Sequence, residues 1–399
     1  MRRFLSLSLL IFMLFCYHLI SAQSARLWVV NGLAETASRV ILDSGTVSNH
    51  IITLGLIPNQ IVSEGNFLLA VNSGSNNIQI FNRHTLAEIG TVELGANRNP
   101  WNLVMADSTI GYVTNLVTGT VSKFNLLTQA VLDEFPVGQS PEGIVYAKGK
   151  IWVCNTAFNP NNFSYGQGEI AVIDPVADSV VKKINVGTNP QAIKQAPDGK
   201  LIAVCTGDFG SVSGTLYVID PITETVTDSI LTGGTPSTAA VTHTNIAYLP
   251  AGGFVGSGLL FKVNLNTKTV ERGPGNPILV GTGATDAIFD TDSNYVYVAC
   301  FSDGTVRKIN SADSVVGSFL AGDGPVSLDI AYPFPLGDLN GDGLATSADA
   351  VILLNCVFLG CAPPPRNSQA DANRDGLWTS ADVVCELNHV FLGSRLPCR

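Results

Sequence analysis

Two twelve-residue segments concentrate the side chains best suited to chemistry. Asp338, Asn340, Asp342 and Asp349 stand at positions 1, 3, 5 and 12 of the first. Asp371, Asn373, Asp375 and Asp382 stand at the same positions of the second, 33 residues further on. Position 6 is Gly343 or Gly376, where a sharp turn needs a positive φ. Position 7 (Leu344, Leu377) would offer a backbone carbonyl, and position 9 (Thr346, Thr379) a hydroxyl or a bound water. Hard oxygen ligands in that number suit calcium and not zinc, so two calcium ions are expected.

The flanks decide what carries these loops. Pro333 and Pro335 precede the first, and Pro363, Pro364 and Pro365 precede the second, so no helix enters either. Helices are expected after them, over 348–359 and 381–392, with Gly360 and Gly393 as stops. A paired calcium loop with only an exiting helix, Asp at position 12 and a Phe-Leu-Gly ending resembles the type I dockerin over residues 337–394. The resemblance implies docking to a cohesin module on another protein, with positions 10 and 11 in contact: Ser347 and Ala348, Ser380 and Ala381. The family's Lys-Arg pair along the helix is replaced by Asn355-Cys356 and Asn388-His389. A calcium-stapled folding unit without a cohesin partner is the alternative. Cys356, Cys361, Cys385 and Cys398 suit either, as two disulfides in any of three connectivities.

Upstream, a repeat sets the architecture. Strand-like runs recur at Arg26–Asn31, Phe67–Asn72, Ile110–Asn115, Lys150–Asn155, Leu201–Thr206, Ile246–Pro250 and Tyr295–Ala299. Each precedes a second run such as Ile170–Asp174 and a third ending in a small-residue turn such as Ile184–Gly187. A fourth opens on Pro58, Pro100, Pro141, Pro190, Pro236 or Pro325, with Asp286 near that place in the remaining copy. Four short β-branched runs per unit make a meander that buries its faces only by stacking. Seven units imply an all-β, seven-bladed β-propeller over 26–333 with a small α-helical unit after it. Its last run, Pro325–Ile330, should complete the first blade and close the ring. Tyr112-Val113-Thr114-Asn115 spells the motif of the YVTN propeller repeats, which the whole segment resembles. Such propellers serve mostly as binding platforms, and some relatives are enzymes.

Met1-Arg2-Arg3, the apolar run Phe4–Ile20 and Ser21-Ala22-Gln23 read as a secretory signal peptide over 1–22, with a membrane anchor as the alternative. Secretion to the cell exterior or cell surface is therefore expected, with no membrane span after cleavage. Charged residues are only 14% of the chain and the net charge is −10, which excludes a basic nucleic-acid binder. Cys154, Cys205 and Cys300 lie in apolar runs and read as buried thiols.

For the propeller, two sets of loops should share one face. Turns before the innermost strands bring Asn59, Trp101, Glu142, Gln191 and Asp286 to the channel mouth, with Arg98 beside them. Long turns after the second strands carry Phe158, Phe163, Tyr165, Phe209 and Phe254 among Gly, Asn and Ser. Aromatics on such loops suit a protein or glycan ligand, or else local packing. His50, His84, His243 and His389 show no spacing that pairs them with a carboxylate, and no nucleophile motif is present. The expectation is a non-catalytic binding propeller tethered through calcium to a cohesin-bearing assembly. A hydrolase or lyase of a polysaccharide-degrading complex is the enzyme alternative.

Overall fold

The computed structural model describes residues 24–333, 336–340, 344–360, 367–373, 379–394 and 396. The expected leader, 1–22, lies outside them. Residues 26–331 form a ring of seven antiparallel sheets. Blade two is typical, running outward through Pro58–Glu64, Phe67–Asn72, Asn77–Asn82 and Glu88–Glu93. Blade one is assembled from both ends of the ring: Pro325–Ala331 is its innermost strand and pairs with Arg26–Asn31 in the register Arg26↔Ala331, Val29↔Leu328. Blade six departs most. Its inner strand shrinks to Ala240–Val241, and its outer strand breaks into Thr269–Arg272 and Ile278–Leu279. Gly273, Pro274 and Gly275 cause the break, because Pro cannot donate to the ladder.

Alternation along the strands buries one apolar layer between each pair of blades. Trp152, Ile170, Val172 and Cys154 of blade four, for example, meet Leu201, Ala203 and Cys205 of blade five. Cys154, Cys205 and Cys300 are buried free thiols.

The four letters of the YVTN motif each have a physical task. The Tyr112 hydroxyl donates to Asp178 of blade four at 3.3 Å. Val113 is core. The Thr114 hydroxyl donates to the Glu142 carbonyl, also in blade four, at 2.8 Å. The Asn115 amide spans the next hairpin, donating to Thr120 and Ser122 at 3.0 and 2.8 Å. Asn31 and Asn72 clamp their hairpins in the same way. The expected run Leu201–Thr206 is corrected by one residue: the strand is Leu201–Cys205, and Cys205 takes the place opposite Pro190 that Asn155 takes opposite Pro141. Cys300 stands at the same place in blade seven.

Charges latch the rims. Lys123 pairs with Asp178 at 2.7 Å, Lys150 with Glu224, and Lys262 with Asp313 at 2.9 Å. Each acid lies in the third turn of the following blade and has positive φ.

The C-terminal unit contains α1 (Ser347–Leu359), α2 (Asn367–Ala370) and α3 (Ser380–Leu392); α2 is a single turn ending directly before Asp371, which corrects the expectation that no helix enters the second loop. Leu339, Leu353, Ala370 and Val383 form its core. Cys356 and Cys385 are both in disulfides; Cys361 and Cys398 lie outside the described residues. Among the described residues, no helix is long and apolar enough to cross a membrane.

Candidate functional site

Each innermost strand starts with a kink that sets the channel mouth. Pro58 pairs with Asn72, but Gln60 pairs with Val71, so Asn59 sits in a bulge. Trp101, Glu142 and Gln191 occupy the corresponding bulges after Pro100, Pro141 and Pro190. Pro fits the first strand position because that N–H is not needed, and the bulge re-aims the next side chain. In blade seven the bulged residue is Thr285, one before Asp286.

Most of these polar groups stitch blades together. Asn59 donates to Ser73 and to the Pro100 carbonyl. Gln191 accepts from the Thr206 hydroxyl at 2.8 Å. Asp286 accepts from the N–H groups of Leu328 and Ala287, at 2.8 and 2.9 Å; burial still raises its pKa. Trp101 is half-buried. The Arg98 guanidinium is held by Glu134 of the outer strand at 2.9 Å.

Glu142 differs from all of them. It is 8% exposed, and among the described residues no donor or cation reaches its carboxyl. Burial alone lifts it from an ordinary 4.5 to about 8. Its bulge is two residues wide, Glu142-Gly143 facing Cys154. Gly143 is needed there: a Cβ would lie 2.8 Å from the Ala192 Cα and the Gln191 carbonyl, forcing blade five away. Beside it lies Asn189, fully buried and with φ +58°, whose side-chain amide meets the Tyr165 hydroxyl. The Tyr165 hydroxyl lies near enough to feel both groups. Sequence reading missed Asn189, whose only signal was its place before Pro190.

Aromatic side chains roof this spot. Phe158–Asn159 and Ser164–Tyr165 make a small hairpin, pinned by Gln139 and Ser140 donating to the Phe158 carbonyl at 2.7 and 3.2 Å. Ring centroids run from Phe163 to Phe158 (6.1 Å), to Tyr165 (5.2 Å), to Phe209 of blade five (6.2 Å). Phe163 is 80% exposed and Phe209 57%, both with left-handed φ, an uncommon and strained choice for a bulky residue. Phe254 is not part of this row; it packs on Phe301 at 4.9 Å.

The described His residues meet groups other than carboxylates. His50 faces the Thr36 hydroxyl, His84 meets Asn66, His243 stacks near Phe289, and His389 meets the Ser394 carbonyl.

In the C-terminal unit, Asp349 organises the first loop. It accepts from the N–H groups of Leu339 and Asn340 at 3.0 and 2.9 Å, and from the N–H and hydroxyl of Thr346 at 2.9 Å. Asp382 does the same toward Asn373 and Thr379. Positions 9 and 12 of each loop are thus the N-cap and N3 of a capping box. Asp338, Asp349, Asp371 and Asp382 are all buried. Asp342, Asp375 and Leu377 lie outside the described residues, and among the described ones no three acidic, His or Cys side chains converge on a metal position. Asn340, Leu344 and Asn373 belong to the same loops; Leu344 is exposed. Buried carboxylates at two equivalent places form an oxygen-rich set of the kind that suits a hard cation.

Glu386 was not foreseen. The 33-residue offset makes it the twin of Leu353, and both are fully buried. Its oxygens rest against Gly337, and burial, then Asp349 and Asp338, raise it to about 8. Ser347, Ala348, Ser380 and Ala381 are exposed at the helix starts. Apolar side chains continue that exposure in both helices: Val351 and Phe358 on α1, Val384 and Phe391 on α3.

A seven-bladed β-propeller with a small helical C-terminal unit is the class of protein these features define. No protein-family model matches the chain, and no curated protein matches it. Solved propellers do. A functionally unknown protein from Desulfotomaculum acetoxidans is 15% identical with a TM-score of 0.61, over 78% of this chain and 99% of that one. Hydrazine synthase of Kuenenia stuttgartiensis is 16% identical at 0.57, over 69% and 95%. Virginiamycin B lyase from Staphylococcus aureus is 10% identical at 0.51, over 66% and 83%. Identities this low show the shared fold alone.

Proposed function

We propose that the chain is an exported, non-catalytic binding propeller, tethered by a calcium-binding dockerin-like unit to a cohesin-bearing partner. One observation carries the tether. At the same 33-residue offset, each half buries two Asp residues and exposes one apolar helix stripe. Such a stripe on so small a unit suits a partner surface. The propeller supplies the platform through its exposed aromatic loops, and its His50, His84 and His243 meet Thr36, Asn66 and Phe289.

Calorimetry on the whole chain should find two calcium ions, one held by Asp338, Asn340, Asp342 and Asp349 and one by Asp371, Asn373, Asp375 and Asp382. The loop carbonyls of Leu344 and Leu377 and the Thr346 and Thr379 positions complete each set. Calcium at about 100-fold over Kd would stabilise the unit by about 2.7 kcal/mol. D349A should remove one site. Fewer than two sites in the wild type, or two in D349A, defeats the assignment.

If the two halves pack with the approximate two-fold symmetry that the 33-residue offset suggests, the duplicate stripes predict docking in either of two orientations. Ala348→Asp or Ala381→Asp alone should leave cohesin capture intact, because the other half still docks. Together they would bury two carboxylates against the partner, at a cost of several kcal/mol. Unchanged capture by the calcium-loaded double variant removes this surface from the interface. Full loss in either single variant removes the second orientation.

A further inference from the structure

Ion pairs latch neighbouring blades at one rim, and the blade one–two seam has the cations of such a latch without the acid. We propose that this seam binds a small dicarboxylate from outside the chain, held by Arg26, Arg39 and Arg83 where other seams carry their own Asp or Glu. The site lies on the rim opposite the aromatic loops and goes beyond the platform and tether reading.

The repeat defines what is missing. Lys123 stands fourth in the third strand of blade three and meets Asp178 at 2.7 Å. Lys262 holds that place in blade six and meets Asp313 at 2.9 Å. Lys150 opens the second strand of blade four and meets Glu224. Blade one has a cation at both places: Arg39 stands fourth in its third strand, and Arg26 opens its second. Arg39 also rests over Trp28 at 6.0 Å, as Lys123 rests over Tyr112 at 5.8 Å and Lys262 over Tyr248 at 5.7 Å.

The turn opposite these two arginines is 82–87 of blade two. Its left-handed position is Leu86, whose N–H bonds the Asn82 carbonyl at 2.8 Å. Glu224 makes the same bond to the Asp220 carbonyl at the same distance. Arg26 donates to the Arg83 carbonyl at 3.5 Å, as Lys123 does to the Pro175 carbonyl at 3.3 Å. The latch is thus built, with an apolar side chain in the place of its carboxylate. Blade seven differs: Lys308 precedes a turn with Gly45 in that place, but its ammonium sits on the Tyr295 ring at 3.8 Å.

Unanswered donors mark the seam. Tyr112 and Tyr248 donate to Asp178 and Asp313, at 3.3 and 3.4 Å. Trp28 takes their place in blade one; it is fully buried, and its indole N–H has no acceptor. The Arg39 Nε is buried and equally unanswered. Arg83 adds a third cation from the turn itself, and its Nε meets the His84 ring at 3.3 Å. Of the six described arginines, Arg98, Arg272 and Arg307 have ion pairs among the described residues, and these three have none. Asp329 favours the charge on Arg83 but accepts from the Ser63 N–H. Burial, then the neighbouring guanidiniums, lowers the pKa of Arg26, Arg83 and His84 alike. Cations crowded in this way call for an anion.

The ligand's class follows from what fills the place elsewhere, which is a carboxylate in three seams. Arg replaces Lys at both latch positions here, and the guanidinium fork grips a carboxylate through two parallel bonds. Three half-buried guanidiniums outnumber one carboxylate, so a dianion matches them better.

The test is calorimetry on the whole calcium-loaded chain with succinate and with sulfate, at an ionic strength fixed by chloride. Succinate should bind, and R39Q and R83Q should each weaken it about 10- to 100-fold, the worth of a hydrogen bond to a charged group. Leu86→Asp should abolish succinate binding by supplying the acid from within. Leu86→Asn has the same shape and tolerance of a left-handed backbone but no charge, and should bind succinate within about 3-fold of the wild type. Both lose the Leu86 packing equally, so their difference reads the charge alone. Thermal unfolding checks that each variant folds. The proposal is overturned by no succinate binding in the wild type, by unchanged binding in R39Q and R83Q, or by equal binding in the Asp and Asn variants. Sulfate binding as tight as succinate overturns the carboxylate class. None of these results touches the tether or the aromatic platform.

Discussion

A chain ended before Gly324 is expected to aggregate, whereas one ended before Gly337 should fold as a soluble propeller. The shorter chain loses the innermost strand of blade one, and Arg26–Asn31 then becomes an edge with its ladder partner gone. Leu328, Ile330 and Ala331 leave the core with it, and Leu27 and Val29 lose their cover. Burying a side chain such as Leu or Ile stabilises by about 1.5–3 kcal/mol each. Polar stitches go too. Asp329 accepts from the Ser63 N–H at 2.9 Å, Asp286 from the Leu328 N–H at 2.8 Å, and the Pro325 carbonyl from the Thr285 hydroxyl at 3.0 Å. Blade one is thus fastened to both neighbours through the missing strand. An apolar strand edge left open is a template for pairing between chains. The longer chain keeps Tyr332, whose hydroxyl lies 3.0 Å from Asp290 and anchors the end of that strand. Soluble yield and thermal unfolding of the two truncations decide the matter; equal behaviour defeats the closure.

What the sequence revealed and what it hid follow one physical line. The seven runs, the closing strand and the starts at Pro58, Pro100, Pro141, Pro190 and Pro325 were legible because period-2 burial and the missing Pro N–H act within a few residues of each other; Pro236 only bridges Ala251, ahead of the short strand Ala240–Val241. The bulges after those prolines were not. A bulge is a relation between two strands, and only the register shows that Asn59, Trp101, Glu142 and Gln191 share one. Blade five was read one residue out because Cys205 replaces the clamping Asn and Thr206 imitates it. Arg98 and Phe254 had partners in Glu134 and Phe301, each on a different strand or loop, that no local spacing announces. Loop length did announce the aromatic row of blades four and five, although its junction with Asn189 needed the fold. In the C-terminal unit, the 33-residue offset made both loops plain. The same offset also held the clue to Glu386, which stands where the first half has the core residue Leu353.

The stability of the propeller should fall as pH rises from about 4.5 to about 8, and the E142Q variant should lack this part of the dependence. Below 4.5 the Glu142 carboxyl carries its proton in both the folded and the unfolded chain, so it contributes no pH dependence. Above 4.5 the unfolded chain releases the proton, but the folded chain holds it to about 8, because burial disfavours the anion and no cation compensates. Retaining a proton that the unfolded state has lost makes folding less favourable with every unit of rising pH. Above 8 the folded carboxyl ionises as well, and the loss levels off. At about 1.4 kcal/mol per unit, the full span sets an upper limit near 4–5 kcal/mol. Gln has the same shape and no ionisation, so E142Q should match the wild type near pH 4.5 and exceed it by up to that amount at pH 8. Taking the difference between the two proteins cancels every other titrating group they share. Denaturant unfolding of both across this range provides the measurement. A difference that does not change with pH would place Glu142 in contact with solvent or a cation.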